Sequence, residues 1–470
     1  MSTEATDAEL SHEVQGLPLT GYSDPYMRTL VLAVRSGPEA RQFVHSLLAA
    51  SLLDFGGKRT HRPHACGINI GFTFEGLRAL GATDRVLTAL RKKSPAFAEG
   101  PLLRAARYLG DAGESAAERW NPVFQRQRAH VWIAIHGADE ADVMHGERQL
   151  QQLPGATRGL DGWSGRDAVP DGRHIQPGPG IRMVHFGLRD NITKPSIFDR
   201  DRRIGRPGAD GRPFQPAPGE LLLGYANNAG ADVWTADSTP HDVAAFLRNG
   251  SFGILRQIRQ DEDRLDRYLE RQVDALTRQG YRFVTRDYLK AKMSGRWPNG
   301  APVLPGETQQ PPAPGPERLQ IDLCKDPAGL GCPFGAHIRR ANPRSDPLLP
   351  PGGRILFRRG IPYTGRTAAD ERGLLGVFFC ARIDDQFELL IAEWLEKNPL
   401  GPPNRGRAKD PISGHHDEPD AEFHIPLADG RHIALKSFLP VVRTRGTLYA
   451  LCPSRRALEI VAAGEYWGLA

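Results

Sequence analysis

An α+β fold with antiparallel sheets is predicted by three observations. Residues 27–188 hold two successive strand–helix–strand runs, which suits a ferredoxin-like unit. An Arg-, Gly- and Pro-rich stretch at 200–218 then interrupts the pattern and reads as a linker or loop. The remaining residues repeat the mixed helix and strand character. A chain of 470 residues is long enough for two substantial cores. The predicted division is a loose arm at 1–25, an N-terminal domain at 26–199, the linker at 200–218 and a C-terminal domain at 219–470.

Each element has its own signal. Residues 27–35 (MRTLVLAVR) are aliphatic and β-branched and read as the first strand. An amphipathic helical pattern covers 38–53. Residues 65–74 alternate as a strand, and a short helix over 74–80 ends near Gly81. HVWIAIH at 130–136 is a strand, with a helix after it at 138–153, and IRMVHFGL at 181–188 is the fourth strand. In the second half, 243–280 reads as strongly helical, with the charged run Arg256 to Arg271 as its solvated face. Residues 300–317 are Pro-rich and form a long loop. Strands are expected at 354–358, 375–383 and 447–451, helices at 386–398 and 454–463, and an irregular segment at 399–420. No short-period repeat is present.

Bulk properties exclude several classes. Lys and Arg number 61 against 55 Asp and Glu, a net charge of +6. That is modest for the length. The one local cluster, Arg200 to Arg206, reads as a solvated loop, so no nucleic-acid partner is expected. The five cysteines are odd in number and form no CxxC pair, which fits reduced thiols in a cytoplasmic protein. Residues 1–24 are polar and acidic, without the features of an export signal. No apolar run is long enough for a membrane span. Gly-x-Ser-x-Gly, P-loop and His-Glu-x-x-His motifs are absent from the sequence.

The most informative stretch is Cys332-Pro333-Phe334-Gly335-Ala336-His337-Ile338-Arg339-Arg340-Ala341-Asn342-Pro343-Arg344. It sets one histidine among small and apolar neighbours with three arginines just after it. A neutral imidazole is a good axial ligand for haem iron, and forked arginines suit carboxylates. By themselves such residues are more often a structural or anion-binding histidine than a haem ligand. Further segments occur in order: Gly187-Leu188-Arg189-Asp190-Asn191, Gly219 to Tyr225, Gly295-Arg296-Trp297-Pro298, Arg358 to Tyr363, and Gly373-Leu374-Leu375 leading to Gln386-Phe387-Glu388. Together, from about Met27 to Trp467, the chain resembles the dye-decolorising peroxidases, which are haem enzymes.

The resemblance implies two ferredoxin-like halves in a dimeric α+β barrel-like arrangement, with haem held mainly by the C-terminal half. It implies one haem b per chain, since Cys-x-x-Cys-His is absent. Hydrogen peroxide would oxidise an organic donor, dye-like or phenolic, through a ferryl state. His337 is the expected axial ligand, Asp190 the distal acid–base and Arg358 the distal cation. Arg359 is the alternative to Arg358, because adjacent strand residues face opposite sides. Arg344 is the expected haem-propionate contact, with Arg339 and Arg340 as lesser candidates. Asp384 and Asp385 are possible carboxylate partners of His337, with a solvated helix start as the other reading. Trp394, Tyr363, Tyr449 and Trp467 read as core aromatics that could also carry radicals outward. His415-His416-Asp417 reads as polar residues on a surface loop rather than a metal site.

One departure matters. The family's Gly-x-x-Asp-Gly ends here in Asn191. Glycine at that place suggests positive φ, and Asn is the other residue that tolerates it. The altered loop keeps one other function open, a haem-binding or haem-handling protein with weak peroxidase turnover; a haem-free relative is disfavoured because His337 and Asp190 are both present. A homo-oligomer is also left open.

Overall fold

Eight strands close into a ring, and each half of the chain supplies four of them. The first half gives β1 (Tyr26–Val34), β2 (Gly67–Phe72), β3 (Val131–Gly137) and β4 (Gly172–Arg173). The second gives β5 (Ser251–Gln260), β6 (Ile361–Thr364), β7 (Arg372–Cys380) and β8 (Val442–Cys452). This computed structural model describes residues 7–56, 66–125, 127–163, 169–178, 180–192, 195–197, 216–234, 239–315, 319, 321–342, 354–365, 371–397, 409–416 and 421–464.

Within each half every pairing is antiparallel. The orders are β4-β1-β3-β2 and β6-β7-β5-β8. In both halves the fourth strand lies beside the first and the second lies outermost, the order of a ferredoxin-like unit. The crossovers of the first half are α1 (Gly37–Ala49) and α2 (Glu140–Gln152). In the second half the first crossover includes α3 (Glu262–Arg278). The second is a pair of π-helical turns, Ile383–Glu388 and Leu390–Leu395. Residues 200–215 of the expected linker, including the Arg200–Arg206 cluster, lie outside the described residues.

The two half-sheets meet at thin seams. One is the single pairing Tyr363↔Gly172, the other Leu451↔Phe72. At the first seam Gly172 is required by space, since a Cβ there would stand 2.3 Å from Ile361 Cγ2. This corrects the sequence expectation for the fourth strand. Residues 181–188 are not in the barrel. Ile181–Met183 instead pairs with Ile175–Gly178 and Arg189–Asp190 in a separate three-stranded sheet. Their apolar character reflects half-burial over a cavity, and strand periodicity alone does not reveal the partner.

The second seam is reinforced by residues 7–24, which were expected to be loose. They form helices at Asp7–Glu13 and Gly16–Leu19, with Leu10, Val14, Leu17 and Leu19 buried. Gln15 explains the anchoring. Its Nε2 donates to the carbonyls of Ile70 and Pro453, both at 2.9 Å, and its Oε1 accepts the Ile70 N–H at 2.8 Å. Edge groups of β2 that β8 leaves unpaired are thus satisfied by one side chain. Gln15→Ala is expected to lower stability by ~1–3 kcal/mol through these buried unsatisfied groups. A urea-unfolding midpoint equal to that of the wild type would contradict this.

A second correction concerns 243–280. The structure breaks it into a helix His241–Leu247, strand β5 and helix α3. Strand β5 is buried along nearly its whole length, so no alternation of apolar and polar residues marks it. Arg256, expected on a solvated helical face, is buried on this strand and pairs with Asp111 at 2.7 Å. The helix at the C-terminus is as expected, Arg455–Ala463 with Ser454 as its cap. Among the described residues no helix is long and apolar enough to cross a membrane.

Candidate active site

His337 is the first residue of the short helix α4 (His337–Ala341). The preceding helix ends at Gly295, whose φ of 92° suits a C-terminal cap. A Cβ there would lie 2.2 Å from Ile338 Cγ2, so this glycine lets α4 approach. The His337 side chain is 35% exposed and opens onto a cavity of about 370 Å³. Its Nδ1 lies 2.9 Å from Asp410 Oδ2, with Ser413 Oγ at 3.4 Å.

Asp410 is fully buried and its other oxygen accepts the N–H groups of Ile412 and Ser413. Burial alone would raise its pKa. The neighbouring His337 and Arg340 and these N–H bonds outweigh that and hold it at about 2. A permanent carboxylate on Nδ1 fixes the tautomer, so the ring carries its proton there and Nε2 is the nitrogen free to ligate. The sequence offered Asp384 and Asp385 for this role, and the structure corrects that. Asp384 accepts from Ala96 N and Ser94 Oγ, and Asp385 pairs with Arg382.

Asp190 and Arg358 line the same cavity as His337. Asp190 sits on the strand Arg189–Asp190, held opposite Arg182. The next residue, Asn191, has φ 58°. Asn thus adopts the left-handed backbone for which glycine is the usual choice. Arg358 lies on the two-residue strand Phe357–Arg358, paired with β7. Burial lowers its pKa, and the Asp190 carboxylate works against that shift. Leu356, Phe378, Phe387 and Ile391 make part of the cavity wall apolar.

The two adjacent arginines both border the cavity, but they are engaged differently. Arg359 is buried, and its guanidinium donates to the carbonyls of Leu17, Pro18 and Leu19. Its role is to bind the N-terminal helices.

The expectation for Arg339 is not met. Its guanidinium is fully buried, donates to the carbonyls of Asp326 and Cys332, and lies over the Phe334 ring. Arg340 likewise turns away, to the carbonyls of Gly335 and Lys397. Helical geometry explains Arg339, since a residue two positions after His337 does not share its face; Arg340 is instead drawn off by the carbonyls it binds. Arg344 lies outside the described residues. Arg354, not singled out from sequence, lines the cavity.

Trp394, Tyr363 and Tyr449 are buried, and Tyr449 donates to Glu388 at 3.0 Å. Trp467 lies outside the described residues. His415 and His416 are not surface polar residues. His416 is buried with Nε2 2.7 Å from the Asp410 carbonyl, and His415 sits between two carboxylates. Asp417 lies outside the described residues. Among the described residues no group of three or more His, Cys, Asp or Glu could hold a metal ion.

Residues 53–158 match the family model described as the DyP dimeric alpha+beta barrel domain. A dye-decolorizing peroxidase of Mycetinis scorodonius is 27% identical over 432 residues, covering 84% of this chain and 76% of that protein. One from Auricularia auricula-judae is 28% identical over 376 residues, covering 74% of this chain and 66% of that one. Solved structures share the fold over nearly the whole length. A fungal DyP-type peroxidase from Auricularia auricula-judae superposes with a TM-score of 0.74 at 20% identity, covering 97% of this chain and 99% of its own. The DyP-type peroxidase of Anabaena gives 0.75 at 18% identity, covering 97% and 95%. With a ring of two ferredoxin-like halves, a carboxylate-backed histidine on its cavity and these relatives, the chain is similar to the dye-decolorising peroxidases in sequence and in fold.

Proposed function

We propose that this protein, loaded with one haem b, uses hydrogen peroxide to oxidise a small organic electron donor. The observation that carries this is the meeting of His337, Asp190 and Arg358 on one partly apolar cavity. The residues fit the group: a ring nitrogen is left free by Asp410, part of the wall is apolar, and Arg354 offers charge for its carboxylates. Haem, when bound, supplies the redox-active iron at which peroxide is reduced.

The chain's own residues do the rest. His337 would hold the iron through Nε2. Asp410 accepts the hydrogen bond from Nδ1–H and makes the imidazole a stronger ligand. Asp190 takes a proton from the near peroxide oxygen and returns it to the far one. The Arg358 guanidinium faces the negative charge that develops on the departing oxygen, in a buried setting that strengthens the interaction. Cytoplasmic residence belongs to the same proposal, supported by the buried thiols Cys332, Cys380 and Cys452. Asn191 weighs against the haem-handling alternative, because its φ of 58° preserves the turn that presents Asp190.

Asp190→Asn is expected to lower peroxide-dependent donor oxidation by ~10²–10⁴-fold, the usual worth of a positioned acid–base. Asn191→Gly should retain turnover, since it keeps the same backbone. Steady-state assays across pH check both. Undiminished turnover in Asp190→Asn would remove the proton-shuttle role. A wild type that is inert until Asn191→Gly is introduced would favour haem handling instead.

A further inference from the structure

A buried set of charges beside the site is not used by the mechanism above. The His415 side chain is only 11% exposed, and both of its ring nitrogens face carboxylates. Nε2 is 3.2 Å from Asp111 Oδ1 and Nδ1 is 2.8 Å from Glu396 Oε1. A neutral imidazole carries one N–H. Between two carboxylates it would leave one nitrogen lone pair against an anionic oxygen. The geometry therefore calls for an imidazolium that donates in both directions. Burial pulls its pKa down, but the two carboxylates more than offset this and lift it to about 9.

The partners are fixed from other sides. Arg256 on β5 donates to both oxygens of Asp111, at 2.7 and 2.8 Å, and the Thr444 hydroxyl adds a third bond at 2.6 Å. Glu396 follows the second π-helical turn. It accepts the His415 N–H at 2.9 Å and lies 3.6 Å from Lys409 Nζ, which itself donates to the His415 carbonyl. His415 thereby ties one short turn to the barrel wall, to the loop holding Asp111 and to the π-helical segment. That turn, residues 409–416, is the one that carries Asp410. Within it the Gly414 N–H and the His416 ring both engage the Asp410 carbonyl.

We infer that His415 is a positioning residue: as an imidazolium it locks the 409–416 turn in place and so holds Asp410 against His337. The inference rests on the proposed haem function, in which the Asp410 bond tunes the iron ligand. Without the lock, the carboxylate swings away from Nδ1. The imidazole becomes less basic, and the oxidised iron it ligates is less well stabilised.

The test is the reduction potential of the haem-loaded protein, measured in wild type, His415→Gln, Asp410→Asn and the double variant. His415→Gln should shift the potential upward, in the same direction as Asp410→Asn. It should also weaken haem retention by up to the ~10–100-fold typical of losing a partner of a metal ligand. The double variant should match Asp410→Asn alone, because both changes act through one bond. A wild-type potential in His415→Gln, or shifts that simply add in the double variant, would overturn the inference. Should His415→Gln not fold, Glu396→Gln keeps an acceptor on the ring and should give a smaller upward shift, and no shift there would equally overturn it. Failure of the haem reading is separable. It shows as wild type lacking a histidine-ligated spectrum, whereas failure of this inference shows as normal ligation with a silent His415→Gln.

Discussion

His337→Ala is expected to abolish stable haem binding. Loss of a second partner to a metal ligand costs ~10–100-fold in affinity, and loss of the ligand itself must exceed that. The neighbouring His415 and His416 are not placed to substitute, since His415 is held between two carboxylates and His416 is bonded to the Asp410 carbonyl. The variant should lose the Soret band of the wild type, and added imidazole should restore part of it. A second consequence is visible without haem. The Asp410 pKa is held at about 2, below the ordinary carboxylate value. A group depressed in the folded state adds stability above its unfolded pKa and loses it as the pH falls through its folded pKa. Removing His337 removes much of that depression, so the variant should unfold in acid at a higher pH than wild type. Full retention of a histidine-ligated spectrum in His337→Ala would overturn the assignment.

Arg358→Leu should slow the reaction with peroxide by ~10²–10³-fold, the usual cost of losing one oriented group at a developing anion. It also takes away a cation that interacts electrostatically with Asp190. Arg359→Leu should behave differently. It leaves the carbonyls of Leu17, Pro18 and Leu19 without their donors. That should cost ~1–3 kcal/mol of stability while the peroxide rate stays within a few-fold of wild type. Stopped-flow rates and unfolding midpoints for both variants separate the two roles. A slow Arg359→Leu beside a normal Arg358→Leu would reverse the assignment of the two arginines.

What the sequence disclosed was what lies in short contiguous motifs. His337, Asp190 and Arg358 were each found inside such a segment, and the structure brings them to one cavity. Asn191 was expected to adopt positive φ from the glycine it replaces, and it does. Asp410 was missed because it stands 73 residues from His337, inside a Gly- and Pro-rich segment without periodicity. Its role exists only through tertiary contact. Strand β5 was hidden for another reason. A strand buried on both faces loses the alternation that identifies strands, and its charged residues imitated the polar face of a helix. Arg256, Asp111 and His415 show the same limit, since a buried ion network among distant segments looks like ordinary surface charge in sequence. Residues 7–24 are polar in composition, yet the side chain that anchors them is Gln15, whose three buried bonds no hydrophobic pattern announces.

The most direct measurement is a haem titration of the purified chain by absorption, followed by hydrogen peroxide and then an organic donor. The expected result is uptake of one haem per chain with a histidine-ligated spectrum. That spectrum should change on adding peroxide and return as the donor is oxidised. A chain that takes up no haem, or a haem-loaded chain inert to peroxide at every pH, would contradict the assignment of this cavity to peroxidase chemistry.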